Sequence, residues 1–311
     1  MSQVEHATTG AVAPPGLAGG SATAGGPARE PRGRSRGGGG RGGFNPVGAV
    51  GGLLWLVVVG VPLYFLVTSS LRSRSEYLTS GPLSLPRGLS LQNYSTVLES
   101  DFPRYFLNNV IVTVACVAIV LALALPAAYA VVRSKSRFVA NGFSILLLGL
   151  AIPAQAVIVP LYLMITSFRM YDTLLAVILP TAAFALPLAT VVLTSSLRDV
   201  PNELYEAANL DGAGSVRALF ALVIPLTRSG LATVGIYTAL SAWNGFLFPL
   251  VLTQSADVRV LTLGLWDFQT QYGTNVPLVT AAVFLSLLPL LVVYLLGRRY
   301  LLAGLTAGAG K

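Results

Sequence analysis

Residue types able to do covalent or acid–base chemistry are scarce here. His6 is the one histidine and Cys116 the one cysteine among 311 residues. His6 lies in a Gly/Ala/Arg-rich head and Cys116 in an apolar run. Imidazole catalysis, a thiol metal site and an internal disulfide are therefore not expected. No G-x-x-x-x-G-K-[ST] occurs, so the loop that cradles nucleotide phosphates is missing and ATP hydrolysis by this chain is not expected. All twelve acids fall outside the long apolar stretches described below. No carboxylate is thus expected at membrane depth, where a proton- or sodium-coupled pump holds its ionisable groups. The chain reads as a non-enzyme with no cofactor or metal of its own, whose energy must come from a partner.

One spacing does stand out. Glu206 to Pro225 reads EAANLDGAGSVRALFALVIP and is interrupted by Gly212 and Gly214. Asp199 is expected to cap a helix with Pro201 in its first turn, where the missing N–H costs nothing. Glu203 and Glu206 are expected in that same turn, favoured by the helix dipole. Leu204, Ala207, Ala208 and Leu210 supply a short, partly apolar face, and Asp211-Gly212 ends the helix. Ser215 is expected to cap a second helix running through Arg217, Leu219, Phe220 and Leu222 to Pro225. An apolar-faced helix beside a bilayer fits lipid headgroups or a protein groove.

Glu206-Ala207-Ala208, Gly212 and Leu222-Val223-Ile224-Pro225 resemble the EAA loop of ABC importer permeases: E-A-A, three residues, Gly, nine residues, then I-x-L-P. Leu222 and Ile224 stand where that pattern has Ile and Leu, and both keep an apolar side chain. From Val47 to the C-terminus the chain is similar to the MalG-type permease subunit of a carbohydrate ABC importer. Ser241-Ala242-Trp243-Asn244 and the ending Leu302-Ala303-Gly304-Leu305-Thr306-Ala307-Gly308 add to the resemblance. The resemblance implies an all-α integral membrane subunit with six transmembrane helices and a cytoplasmic EAA coupling helix. It implies as partners a second, MalF-like permease subunit, an ATPase subunit dimer that binds the ATP, and an extracellular sugar-binding protein. Glu206, Ala207, Ala208, Gly212 and Pro225 are then the ATPase-coupling residues.

The elements that must hold this loop are apolar. Apolar residues make up 54% of the chain and charged residues 10%, against about 25% charged in soluble domains. Beyond Arg41, six stretches carry no Asp, Glu, Lys or Arg: 42–71, 105–132, 138–168, 173–197, 229–256 and 268–297. Each is longer than the ~20 residues that span a bilayer. Six helices are expected, centred near Val58, Ala118, Ala151, Phe184, Leu240 and Leu287. Internal prolines such as Pro126, Pro153, Pro180, Pro187 and Pro289 point to kinked helices that satisfy one another's freed carbonyls.

Orientation follows from charge. With the N-terminus inside, 14 of the 20 Lys and Arg lie on the cytoplasmic side, including Arg133, Lys135, Arg137, Arg198, Arg217 and Arg228. Both termini and the loop around Glu206 are then cytoplasmic, in a multi-pass cell-membrane protein. The net charge of +8 is read as topology, and no nucleic-acid partner is expected.

Three domains are expected: a disordered head over 1–43, a permease domain over 44–302 with its EAA loop at 199–228, and a cytoplasmic tail over 303–311. The head is too poor in apolar residues to order itself. The tail is rich in Gly and Thr and is expected to be extended; the resemblance implies that it reaches between the ATPase subunits. The outer loop 72–104 contains Leu91-Gln92-Asn93-Tyr94, similar to the L-x-N-Y of related permeases. With the loop 252–276, it is expected to face the binding protein.

A path for neutral, hydroxyl-rich sugars needs amides, hydroxyls and aromatic faces without fixed charge. Candidates are Gln155, Tyr162, Tyr237, Trp243 and Asn244, with Asn108, Asn109, Thr190 and Ser241 beside them; the alternative for each is an interhelical hydrogen bond. Other polar solutes, such as glycerol phosphate, and an ATP-independent secondary transporter remain open at this point.

Overall fold

The computed structural model describes residues 46–270 and 273–307. The head over 1–43, Tyr272 and the last four residues lie outside the described residues. Two compact units divide the chain, 1–52 and 53–311. The described part of the first is the opening of a helix; the rest of the fold belongs to the second.

In chain order the helices are α1 (Pro46–Ser70), α2 (Arg74–Ser80), α3 (Gln92–Glu99), α4 (Phe102–Arg133), α5 (Arg137–Leu148), α6 (Ile158–Ser167) and α7 (Leu174–Arg198). They continue as α8 (Asn202–Leu210), α9 (Ser215–Ala218), α10 (Ile224–Leu226), α11 (Arg228–Trp243), α12 (Leu247–Leu252), α13 (Leu261–Gly264) and α14 (Val276–Ala307). A two-residue antiparallel pair, β1 (Gln269–Thr270) with β2 (Gly273–Thr274), is the one sheet among the described residues. The fold is all-α.

Four helices are long and apolar enough to cross a membrane singly: Gly48–Ser70, Phe102–Arg133, Leu174–Arg198 and Val276–Leu295. Two further spans are bent pairs, Arg137–Ala151 with Ala154–Ser167 at 98° and Ser215–Leu226 with Arg228–Trp243 at 81°. The count reaches six only when each bent pair is one span. Ala151, expected at a helix centre, sits instead at a break, because Pro153 pushes the residue before it out of helical backbone (Ile152 ψ 113). The stretch 229–256 is not one helix either. α11 ends at Trp243 after 16 residues, about 24 Å, and Asn244 to Phe246 turn the chain into α12.

The core forms where α4 and α7 run side by side. Val112, Cys116, Val120, Ala124 and Ala128 of α4 meet Val177, Ala182, Ala185, Ala189 and Leu193 of α7. Alanines along both helices let the backbones approach, which is what holds helices together where the surroundings are as apolar as the side chains. Gly230 of α11 continues the theme: a Cβ there would fall on Ser196 of α7.

A second core, built from Phe102, Tyr105, Trp243, Leu261, Ala281 and Ala282, closes the end of the bundle away from α8. At that end Arg72 is fully buried. Its guanidinium donates to the carbonyls of Gly81 (2.9 Å) and Glu76 (3.3 Å) and to the Ser80 hydroxyl. Asn93 Nδ2 donates to the carbonyls of Ser70 (2.9 Å) and Arg72 (2.8 Å), and the Tyr94 and Ser70 hydroxyls lie 2.7 Å apart. The Leu91–Tyr94 motif thus acts as a clasp on the end of α1.

The C-terminal tail departs from expectation. α14 continues as helix to Ala307, so residues 303–307 are not extended.

Candidate functional site: the loop from Asn202 to Thr227

α8 starts at Asn202, with Pro201 at the N-cap and no side-chain cap. Asp199 caps the C-terminus of α7 instead. Pro201 therefore precedes the helix rather than sitting in its first turn, and Glu203 is the acid in that turn while Glu206 falls in the second. The C-terminus ends as its residues demand. Gly212 adopts φ 74°, its N–H bonds the Asn209 carbonyl at 3.0 Å, and the Ala213 N–H bonds the Ala208 carbonyl at 2.9 Å. That 6→1 and 5→2 pair is the Schellman motif, whose left-handed residue is most often Gly, as at Gly212.

Beyond Gly214 the second helix is uneven. Ser215 does not cap it; no side-chain cap bond forms at α9. Residues Leu219–Val223 widen into a π turn, with the Ile224 N–H reaching the Leu219 carbonyl five residues back. Pro225 has no N–H to offer the preceding turn, which is the physical reason for the loosened ladder just before it. Thr227 then closes the turn, its hydroxyl donating to the Val223 carbonyl at 2.7 Å, and the chain bends 81° into α11.

Burial on α8 is one-sided. Tyr205 is its single buried residue. At 3.6 residues per turn, Ala207 and Leu210 lie across the helix from Tyr205, flanked by Glu203 and Glu206. Leu210 is 89% exposed, and Val216 and Phe220 continue the exposed apolar surface at 71% and 65%. Glu206, Ala207, Gly212 and Pro225 are exposed, and Ala208 is half-buried.

Tyr205 is held from α4. The Arg133 guanidinium carbon lies 4.3 Å from the Tyr205 ring centroid, and Arg133 donates to Asn202 Oδ1 at 3.0 Å. The Tyr129 ring centroid is 6.3 Å from that of Tyr205. The Tyr205 hydroxyl is buried without a hydrogen-bond partner. Burial raises its pKa, Arg133 pulls the other way and Tyr129 adds to the upward push. Sequence reading missed this contact; 72 residues separate the partners, and no local signal links them.

The path candidates do not converge. Gln155 is exposed in the short 3₁₀ turn Ala154–Val157. Tyr162 packs edge-on against Tyr171 at 5.5 Å. Tyr237 is exposed on α11, and Asn244 Nδ2 donates to the Leu240 carbonyl at 2.8 Å. Trp243 is 6% exposed, and its indole N–H donates to the Ser286 carbonyl at 3.2 Å. Asn108 donates to the carbonyls of Asp257 (2.8 Å) and Arg259 (2.9 Å), so it braces the loop that follows α12. A cavity of about 270 Å³ lies at that same end, lined by Thr96, Asp101, Tyr105 and Asp267 among others, and includes none of the path candidates. No cluster of three metal-binding side chains occurs among the described residues.

Residues 121–302 match the family described as "binding-protein-dependent transport system inner membrane component". Among curated proteins, a putative ABC transporter permease from Caldicellulosiruptor is 38% identical over 83% of this chain and 94% of its own length. The diacetylchitobiose uptake system permease of Streptomyces coelicolor is 35% identical over 82% and 85%. The melibiose/raffinose/stachyose import permease of Bacillus subtilis is 32% identical over 81% and 91%. Among solved structures, a chain of a bacterial ABC transporter that imports the acidic polysaccharide alginate superposes with a TM-score of 0.73 at 21% identity, covering 83% of this chain and 96% of that one.

Proposed function

The chain belongs to the family of binding-protein-dependent transport system inner membrane components, and from that premise we propose that it is one permease subunit of an ABC importer for a sugar or oligosaccharide. The relatives named above for diacetylchitobiose and for melibiose, raffinose and stachyose support the solute class. An alginate importer solved with its pentasaccharide-bound periplasmic protein, alike in fold at a TM-score of 0.59, supports an extracellular binding protein as a partner kind.

One observation carries the coupling role: α8 buries only Tyr205, half-buries Ala208 and leaves its other residues exposed. A short helix that spends Leu210 on exposure is built to be covered. We place this surface in the cytoplasm, on the charge asymmetry of the loops, where it docks on one subunit of an ATPase dimer. Glu206, Ala207, Ala208 and Gly212 form the docking helix, and Pro225 sets the bend through which its motion enters α11. ATP is bound by the partner, and this chain contributes no catalytic residue. A second, MalF-like permease subunit completes the channel.

ATP closure of the partner dimer carries α8 with it, and the bent spans rock between inward- and outward-facing states. Gln155, Tyr162, Tyr237 and Asn244 keep exposed positions that a passing sugar can reach only at separate points, while Trp243 acts from inside the bundle by fixing the end of α11. The test is uptake of radiolabelled oligosaccharides in cells with and without the cognate ATPase gene. Uptake should vanish without the ATPase; uptake that persists would show a secondary transporter.

A further inference from the structure

α8 is joined to α7 by Asp199-Val200-Pro201 and to α9 by Asp211–Gly214, so its covalent tethers are short but single-stranded. The lateral grip on it comes from another helix. Tyr205, 2% exposed, rests under the guanidinium of Arg133 at 4.3 Å, and Arg133 is the last residue of α4. The same guanidinium bonds Asn202 at the start of α8 (3.0 Å), so one side chain holds the helix at two points a turn apart. Tyr129, one turn back on α4, supports the ring from the side. The Tyr205 hydroxyl has no hydrogen-bond partner; the aromatic face is therefore what the contact uses. A cation over an aromatic face is directional, and stronger where water is excluded.

We propose that Arg133 and Tyr205 are positioning residues for transport: they form the joint through which displacement of α8 reaches α4, and through α4 the α4–α7 core. The inference rests on the coupling role assigned to α8. A push on α8 without this joint swings the helix on its two linkers and leaves α4 behind. With it, α4 and α7 move together, because their shared core is close-packed and shifts as a unit.

The experiment uses the full importer reconstituted in liposomes with its binding protein. Arg133→Met keeps the stem and removes the charge; Tyr205→Leu keeps apolar bulk and removes the ring face; Tyr205→Phe keeps the face and drops the idle hydroxyl. Co-purification of the ATPase, melting temperature and the ratio of stimulated to unstimulated ATPase are measured for each, together with uptake. Arg133→Met and Tyr205→Leu should still co-purify with the ATPase while the stimulation ratio and uptake fall by about fivefold, the scale of a partly exposed cation–π contact. Arg133→Lys should recover part of the loss, and Tyr205→Phe should behave as wild type. The double variant should be no worse than the worse single one, since both remove the same contact. Additive losses, or wild-type stimulation in Arg133→Met, overturn the joint. If Tyr205→Leu does not fold, Arg133→Met at the helix rim decides alone. Failure of the wild-type chain to recruit an ATPase would overturn the coupling role itself, and the joint with it.

Discussion

Asn109 Nδ2 donates to the backbone carbonyl of Trp243 at 3.2 Å. The bond joins α4 to the end of α11, where the last carbonyls have no partner within the helix. Trp243 passes the connection on, since its indole N–H reaches the Ser286 carbonyl on α14 at 3.2 Å. Three helices therefore meet at one residue, and Phe106 stacks edge-on against its ring at 5.6 Å. An amide and an indole that sequence reading offered to a sugar are used to tie the bundle.

Asn109→Leu should therefore lower stability more than a substitution at an exposed position of the same helix. It orphans a buried carbonyl, which costs about 1–3 kcal/mol. Thermal unfolding in detergent, with Leu107→Ala on the exposed face as the reference, checks this. An unshifted transition in Asn109→Leu would remove the bond from the account.

Gly212 is expected to be the least substitutable residue of the loop. Its φ of 74° is left-handed, which costs an L-residue about 1–2 kcal/mol. Gly212→Asn should retain most uptake, because Asn tolerates that region; Gly212→Val should lose it, while inserting normally. Gly212→Asp, which also adds charge to the exposed end of α8, should insert and, on the proposed coupling role, abolish transport-coupled ATPase. Uptake assays on membranes with matched permease levels give the order. Equal activity of the Asn and Val variants would mean that backbone conformation is not the constraint.

Arg72 should govern the order of the loop that follows it. Arg72→Met leaves the carbonyl of Gly81, now hydrogen-bonded at 2.9 Å, without its donor, at about 1–3 kcal/mol where water cannot reach, while the Glu76 carbonyl keeps the Ser80 hydroxyl at 2.6 Å. Limited proteolysis should then cut between Arg74 and Leu91 at a protease concentration that spares the wild type. Arg72→Lys, with one compact charge in place of a planar fork, should rescue only in part.

A pH effect is expected at Asp172. Its Oδ1 accepts from the backbone N–H of Gln254 (2.7 Å) and Ser255 (2.9 Å), and those bonds hold the carboxyl pKa below its ordinary value. A depressed folded value means that the tether is fully present above the ordinary carboxylate value of about 3.9 and is lost as pH falls through the lowered one. Hydrogen exchange at the Gln254 and Ser255 amides should lose protection only at that acidic end. In Asp172→Asn, where the acceptor is neutral, the protection should not change over that range.

Much of the molecule was legible in one dimension because its physics is local. An uncharged run of more than 20 residues needs no neighbour to declare enough apolar length for a span, although two of the six spans form only as bent pairs. Asp211-Gly212 declares a helix end through backbone sterics alone, and the Schellman bonds bear this out. The EAA spacing is likewise a property of adjacent residues. Helix starts were less legible. Asp199 and Ser215 have the right side chains for capping, but Asp199 is drawn into the end of α7 and Ser215 makes no cap bond, since a cap is used only where the neighbouring turn presents its free N–H groups.

The sequence by itself determined composition, the runs long and apolar enough to span a bilayer and the EAA-like spacing from Glu206 to Pro225, because each is a property of one continuous stretch of chain. Only the tertiary structure decided that Pro153 opens a 98° bend rather than a kink, that Trp243 is buried, and that Arg133 reaches across 72 positions to Tyr205. Those depend on which helix faces which. Between apolar helices in an apolar solvent that choice is made by close packing and a few buried polar contacts, and hydrophobic patterning along the chain carries little trace of it.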